Sequence, residues 1–272
     1  MQMKKRLRTE ATLILLILLP LLSGCWDSHE LNKYAIVAGI GFDIDPQTGL
    51  NTMTYQSIVP SQVKNPSGGL GGGETKGSGP FPAVQNDYGT GISPHEAVSR
   101  CTLHSSRMLF YPHAQIYIFG NELARKGVNL AIDTIARIVA SRPNVPIAIA
   151  ENNASDILIL RDGMDNIPAS GVASSIKLSA DVFSKFPAIT FLEFCNRLMS
   201  KSTAPIAPIL GFHEEIGQDG IKIKKVTITG TAVFRGEKMI GELNEQESRG
   251  LLWVINRIKK GYVIIPETNT AL

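Results

Sequence analysis

Asp43 and Asp45 stand two residues apart at the end of an apolar stretch, a spacing that can serve a general acid and base or simply shape a turn. Turn formation is the stronger reading, since aspartate side chains bond nearby backbone N–H groups and Pro46-Gln47-Thr48-Gly49 follows at once. Five histidines, His29, His95, His104, His113 and His213, show neither HExxH spacing nor an accompanying CxxC. His104 and His113 flank Tyr111-Pro112, where they either meet as a pair or serve as ordinary structural residues, the latter being favoured. Gly39-Ile40-Gly41 begins like a dinucleotide-binding turn, but Ile44 replaces the third glycine and no helix pattern follows, which points to strand packing. Gly71 to Ser78 carries the letters of a phosphate loop in the wrong order, ahead of no helix. No serine occupies a GxSxG elbow. Cys101 and Cys195 lie in helical patterns with apolar neighbours, as buried thiols or as a disulfide outside the cytoplasm. These residues assign no catalytic, metal or cofactor site, so the chain reads as a non-enzyme.

The elements that hold these residues follow from periodicity. Ala35–Asp45 alternates apolar and small or polar residues, and Asn51–Pro60 resumes a Thr/Tyr/Ile/Val-rich run, so 35–60 is expected to be a β-hairpin. Residues 64–80 form a Gly/Ser/Pro-rich loop. Ser93-Pro94-His95-Glu96 starts a helix to about Ser105. His113–Gly120 is nearly all apolar or aromatic, as expected of a strand covered on both faces. Helices are expected over about 128–140 and 154–161, with a strand at 145–150 between them and a loop followed by helix over 163–188. Thr190 and Asn244 open further helices, to about Ser200 and Ile258. Residues 204–210 are extended because of their prolines, and Val226–Phe234, Met239–Leu243 and Tyr262–Pro266 read as strands. The order predicts an α+β fold with mixed and antiparallel sheets and packed helices.

The net charge of +3 is concentrated at the start of the chain. Lys4, Lys5, Arg6 and Arg8 against Glu10 account for all of it, leaving 23 basic and 23 acidic residues in the remaining 248. A neutral body excludes a nucleic-acid binder, which needs a lasting cationic surplus. The basic segment precedes an apolar run of 12 residues, 11–22, shorter than the roughly 20 needed to span a bilayer as a helix. That is the layout of a signal peptide, residues 1–24. Leu22-Ser23-Gly24-Cys25 then resembles the lipobox of bacterial lipoproteins. The resemblance implies cleavage before Cys25 and a diacylglycerol on its sulfur, a lipid-anchored N-terminus on the extracytoplasmic face of a membrane.

Several segments together resemble the Ger(x)C family of spore germination lipoproteins, the C subunits of germinant receptors. They are Leu22-Ser-Gly-Cys-Trp-Asp27 running into Glu30-Leu31-Asn32 and AIVAGIGFDID, FYPHAQIYIFGNELARKG at 110–127, and GTAVFRGEKMIGELNEQESRGLLWVINRIKKG at 230–261. The resemblance implies an N-terminal α+β germination domain over 25–215 and the start of a second α+β domain over 216–272. Chains of this family continue beyond the last strand into a further α+β region, so a truncated second domain is expected at Leu272. It also implies lipid attachment at Cys25, the inner spore membrane as location, and assembly with integral-membrane A and B type receptor subunits. A small-molecule germinant would then act at the level of the complex. The alternative is an extracytoplasmic solute-binding lipoprotein delivering a nutrient to a transporter, which calls for two lobes and a hinge.

Overall fold

The computed structural model describes residues 33–59, 83–138, 142–160, 165–216, 222–261, 264–265 and 270–271, together with Glu10, Thr12 and Leu13. Cys25, Trp26, Asp27, His29 and the glycine-rich stretch 64–80 lie outside the described residues. Residues Ala35–Leu272 form one compact unit.

Its strands are β1 (Tyr34–Ile44), β2 (Asn51–Ile58), β3 (Val84–Gly91), β4 (Met108–Phe110), β5 (Ile116–Phe119), β6 (Pro146–Ala150), β7 (Ile189–Thr190), β8 (Ile206–Ile216), β9 (Lys222–Arg235) and β10 (Lys238–Leu243). A short pair, β11 (Ile264–Ile265) and β12 (Thr270–Ala271), forms a separate ribbon. The helices are α1 (Pro94–His104), α2 (Asn121–Lys126), α3 (Asn129–Ile138), α4 (Ala154–Ile159), α5 (Pro168–Leu178), α6 (Phe191–Met199) and α7 (Glu245–Val254).

The main sheet runs β10-β9-β8-β6-β5-β1-β2-β3, with β4 paired to β1 and β7 to β6. Its centre is parallel: β8, β6, β5 and β1 point the same way, because each link between them crosses over through helices. Both flanks are antiparallel. The expected mixed α+β architecture therefore holds, on one ten-stranded sheet rather than several smaller ones. Nothing among the described residues divides this unit into two hinged lobes.

Residues Ile116–Phe119 are buried on both sides, as their unbroken apolar run requires. Tyr117 and Phe119 join a core under α1, α3 and α6, whereas Ile116 and Ile118 join one under α4 and α5. In the first core Tyr117 meets Phe191 edge-on at 5.6 Å, and Phe194 meets Phe234 at 5.2 Å, geometries favoured by the ring quadrupole. The helix starts obey their capping signals. Ser93 accepts the Glu96 N–H, Thr190 accepts that of Glu193, and Asn244 and Glu247 make a reciprocal capping box.

Some boundaries differ from expectation. Strand β3 has almost no apolar alternation and is held by its pairing with β2 and by α1 packed across Gly89 and Gly91. The six-residue α2 begins at Gly120 with no side-chain cap, so it left no start signal. Helix α7 stops at Val254, four residues early, because Asn256 adopts φ 56°.

Candidate functional site

The Gly-Ile-Gly strand is a packing device. A Cβ on Gly39 would come within 2.7 Å of the Ala169 Cβ and 2.8 Å of Leu158 Cδ2, and one on Gly41 within 2.9 Å of the Ala154 Cβ. The two glycines thus let α4 and α5 lie directly on β1. Gln56, fully buried on β2, fastens both helices: Oε1 accepts the Ala169 N–H at 3.0 Å and Nε2 donates to the Leu158 carbonyl at 2.7 Å. Leaving either backbone group unpaired in that interior would be costly.

Asp43 and Asp45 separate in role. Asp45 shapes the turn, accepting from the Gln47 N–H and the Thr48 hydroxyl. The Thr48 hydroxyl, then the Gln47 N–H, hold its carboxyl below the usual carboxylate range. Asp43 does not form a turn. Its Oδ1 accepts the Ala154 N–H at 2.7 Å and its Oδ2 the Ser155 N–H at 3.1 Å, so it caps α4 from a distant strand. Burial raises its pKa above the ordinary value of 3.8 in spite of these donors. The partner elements lie more than a hundred residues away, beyond any local signal.

These residues border a cleft of about 650 Å³ at the carboxyl end of β1 and beside the start of α4. Its lining includes Asp43, Asp45, Thr52, Thr54, Asn86, Tyr88, Asn153, Ser155 and Ile159. Thr52, Thr54, Asn86 and Tyr88 project from one face of β2 and β3, so the unanticipated β3 supplies part of the floor. Sequence reasoning missed Asn86 and Tyr88 for that reason.

The other residues singled out by type do not converge. His95, His104, His113 and His213 are all exposed, and among the described residues no group of three His, Cys, Asp or Glu is placed to hold a metal. Cys101 and Cys195 are both free thiols, the first buried and the second half-buried. On α7, Leu252 is buried and Leu251 half-buried, and Trp253 faces solvent. Among the described residues no helix is long and apolar enough to cross a membrane.

Comparison with known proteins decides the lineage. The spore germination protein N-terminal domain matches residues 27–212, more than half of the chain. The chain belongs to the spore germination protein family. A second match, to the domain described as spore germination B3/GerAC like, C-terminal, covers 229–271. The chain is 24% identical to spore germination protein KC of Bacillus subtilis (strain 168), over 92% of its own length and 62% of that protein. It is 25% identical to spore germination protein YndF of the same organism, over 96% of its length and 66% of the relative. It thus spans just under two thirds of the length of these curated relatives. No solved structure matches it. In this germination protein the N-terminal match takes in β1 to the first half of β8, and the C-terminal match opens inside β9.

Proposed function

We propose that this germination protein is a membrane-anchored, non-catalytic subunit of a nutrient germinant receptor. The observation that carries the reading is the germination-family match over residues 27–212 directly behind the lipobox-like Leu22-Ser23-Gly24-Cys25. A thioether-linked diacylglycerol on Cys25, with an acylated amine, holds the mature chain on the extracytoplasmic face of the inner spore membrane. Confinement to that plane raises its effective concentration beside the integral-membrane A and B type subunits, so modest contacts suffice for assembly. Its work is contact and signal coupling, with the small-molecule germinant sensed by the complex. Residues 25–215 supply the N-terminal domain and 216–272 the opening of the second.

The test is genetic. Deleting the gene from a strain without paralogues should abolish germination in response to specific nutrients while sporulation proceeds, with dipicolinate release as the readout. Complementation with the intact gene should restore it. Normal nutrient germination in the deletion strain overturns the reading.

A further inference from the structure

Ser184 is fully buried, yet its backbone lies in the left-handed region at φ 46°, a conformation that favours glycine. It closes a single π-helical turn, Ser179–Phe183, that follows α5, and such turns gather at functional positions. A costly backbone conformation kept at a serine calls for a use of its side chain. The Ser184 hydroxyl donates to the Ala180 carbonyl at 3.3 Å. It accepts the N–H groups of Lys259 at 3.0 Å and Lys260 at 3.2 Å. One donor and two acceptor positions are all that a serine hydroxyl has. Both acceptor positions are therefore spent on a segment 75 residues further along the chain.

That segment, residues 255–261, follows α7 and has little else to hold it. None of its residues is buried. Arg257 reaches Glu193 at 2.6 Å and Lys259 reaches Asp181 at 2.7 Å. Lys185, next to Ser184, meets Glu245 at the start of α7 at 2.7 Å. Ion pairs that reach solvent contribute little and are screened by salt. A hollow of about 350 Å³ is lined by Phe186, Leu252 and the stretch from Asn256 to Lys259, so that stretch bridges a gap instead of packing down. A segment with so few buried apolar contacts opens locally at low cost. The ties also join different parts of the chain. Asp181, Ser184, Lys185 and Glu193 lie in the first matched region, and Glu245, Arg257, Lys259 and Lys260 in the second. The β8–β9 ladder joins the same two regions, but it yields only with the sheet.

We infer that residues 255–261 form a releasable strap latched by the Ser184 hydroxyl. Opening frees the end of α7 from the turn at 179–184 while the sheet stays intact, and the second matched region can then shift against the first. The inference goes beyond the receptor reading and does not need it, since strap opening is measured on the purified chain.

The test is hydrogen exchange of the full chain in detergent micelles, read by mass spectrometry on overlapping peptides. The Lys259 and Lys260 amides should exchange at least about a hundredfold faster than those of Ile116–Phe119, because the strap opens without global unfolding. Ser184→Gly tolerates the left-handed backbone and removes the latch. Strap exchange relative to the Ile116–Phe119 strand should then rise about tenfold, the scale of losing one or two intramolecular hydrogen bonds. Asp181→Asn leaves the hydroxyl in place and should speed strap exchange severalfold, as should molar sodium chloride on the wild-type chain. Strap amides that exchange in step with Ile116–Phe119 in wild type overturn the proposal, because they would open only with the sheet. Relative strap exchange in Ser184→Gly that matches wild type overturns it equally. If Ser184→Gly does not fold, Asp181→Asn decides, and strap exchange unchanged in that variant overturns the proposal.

Discussion

The Asp43 carboxylate holds the first turn of a helix that begins at Ala154, 111 residues further along the chain, through a 2.7 Å hydrogen bond. A second bond to the Ser155 N–H completes the cap, so a β-strand supplies what a helix ordinarily takes from its own flank. Asn153, the residue at the helix cap, makes no side-chain bond to the helix backbone.

Replacing Asp43 by alanine should therefore destabilise the fold by about 1–2 kcal/mol, the range for losing a capping side chain. The pH dependence has a definite sign. Burial raises the Asp43 pKa above 3.8, so the folded chain holds that proton more tightly than the unfolded one. Its contribution to stability is full below 3.8 and declines as pH rises through the raised value. Urea unfolding of wild type and Asp43→Asn between pH 3 and 6 should show a stability difference that shifts against wild type as pH rises. A difference independent of pH contradicts the assignment.

Gly39→Ala places a methyl within 2.7 Å of the Ala169 Cβ, between two elements already in contact. Overpacking of this kind costs about 1–3 kcal/mol. Ala169→Gly in the same chain should recover part of the loss, and a double-mutant cycle of urea midpoints measures the coupling. Simple additivity of the two changes would show that the contact does not bear on stability.

Much of this was legible locally. The Ser93, Thr190 and Asn244 caps, the Asp45 turn and the doubly buried Ile116–Phe119 strand all declare themselves within a few residues. Strand β3 did not, because Asn86, Asp87, Tyr88 and Gly89 carry no alternating apolar pattern and gain their structure from β2 and α1. The cleft was hidden for the same reason, since its floor needs β3 and its wall needs α4 across the sheet. Nor does local patterning reveal that β1, β5, β6 and β8 run parallel, a property of the crossovers.

Cys101 is buried against the Met53 carbonyl and sulfur, and burial foremost, then the Asp87 charge, pushes its pKa up to about 12. A thiol held protonated and covered is inert towards alkylation. Iodoacetamide at pH 8 should leave Cys101 unmodified in the native chain and alkylate it in urea, as read by peptide mass spectrometry. Rapid native modification would mean that α1 opens from the sheet.

The lipid reading of Cys25 makes a separate prediction. The Cys25→Ala chain should leave the membrane fraction, as read by fractionation. Unchanged membrane association would remove the anchor from the account.

The β8–β9 hairpin has an implication for any attempt to study the two matched regions separately. Ile206–Ile216 and Lys222–Arg235 are zipped together from Ile206 with Val233 to Ile216 with Lys222, while the family matches end and begin at 212 and 229. A cut placed between those matches tears apart one ribbon. It leaves each fragment with a naked row of backbone amides and carbonyls, an invitation to stick to whatever strand comes by. Expression boundaries drawn ahead of Ile206 or behind Leu243 keep the ribbon whole.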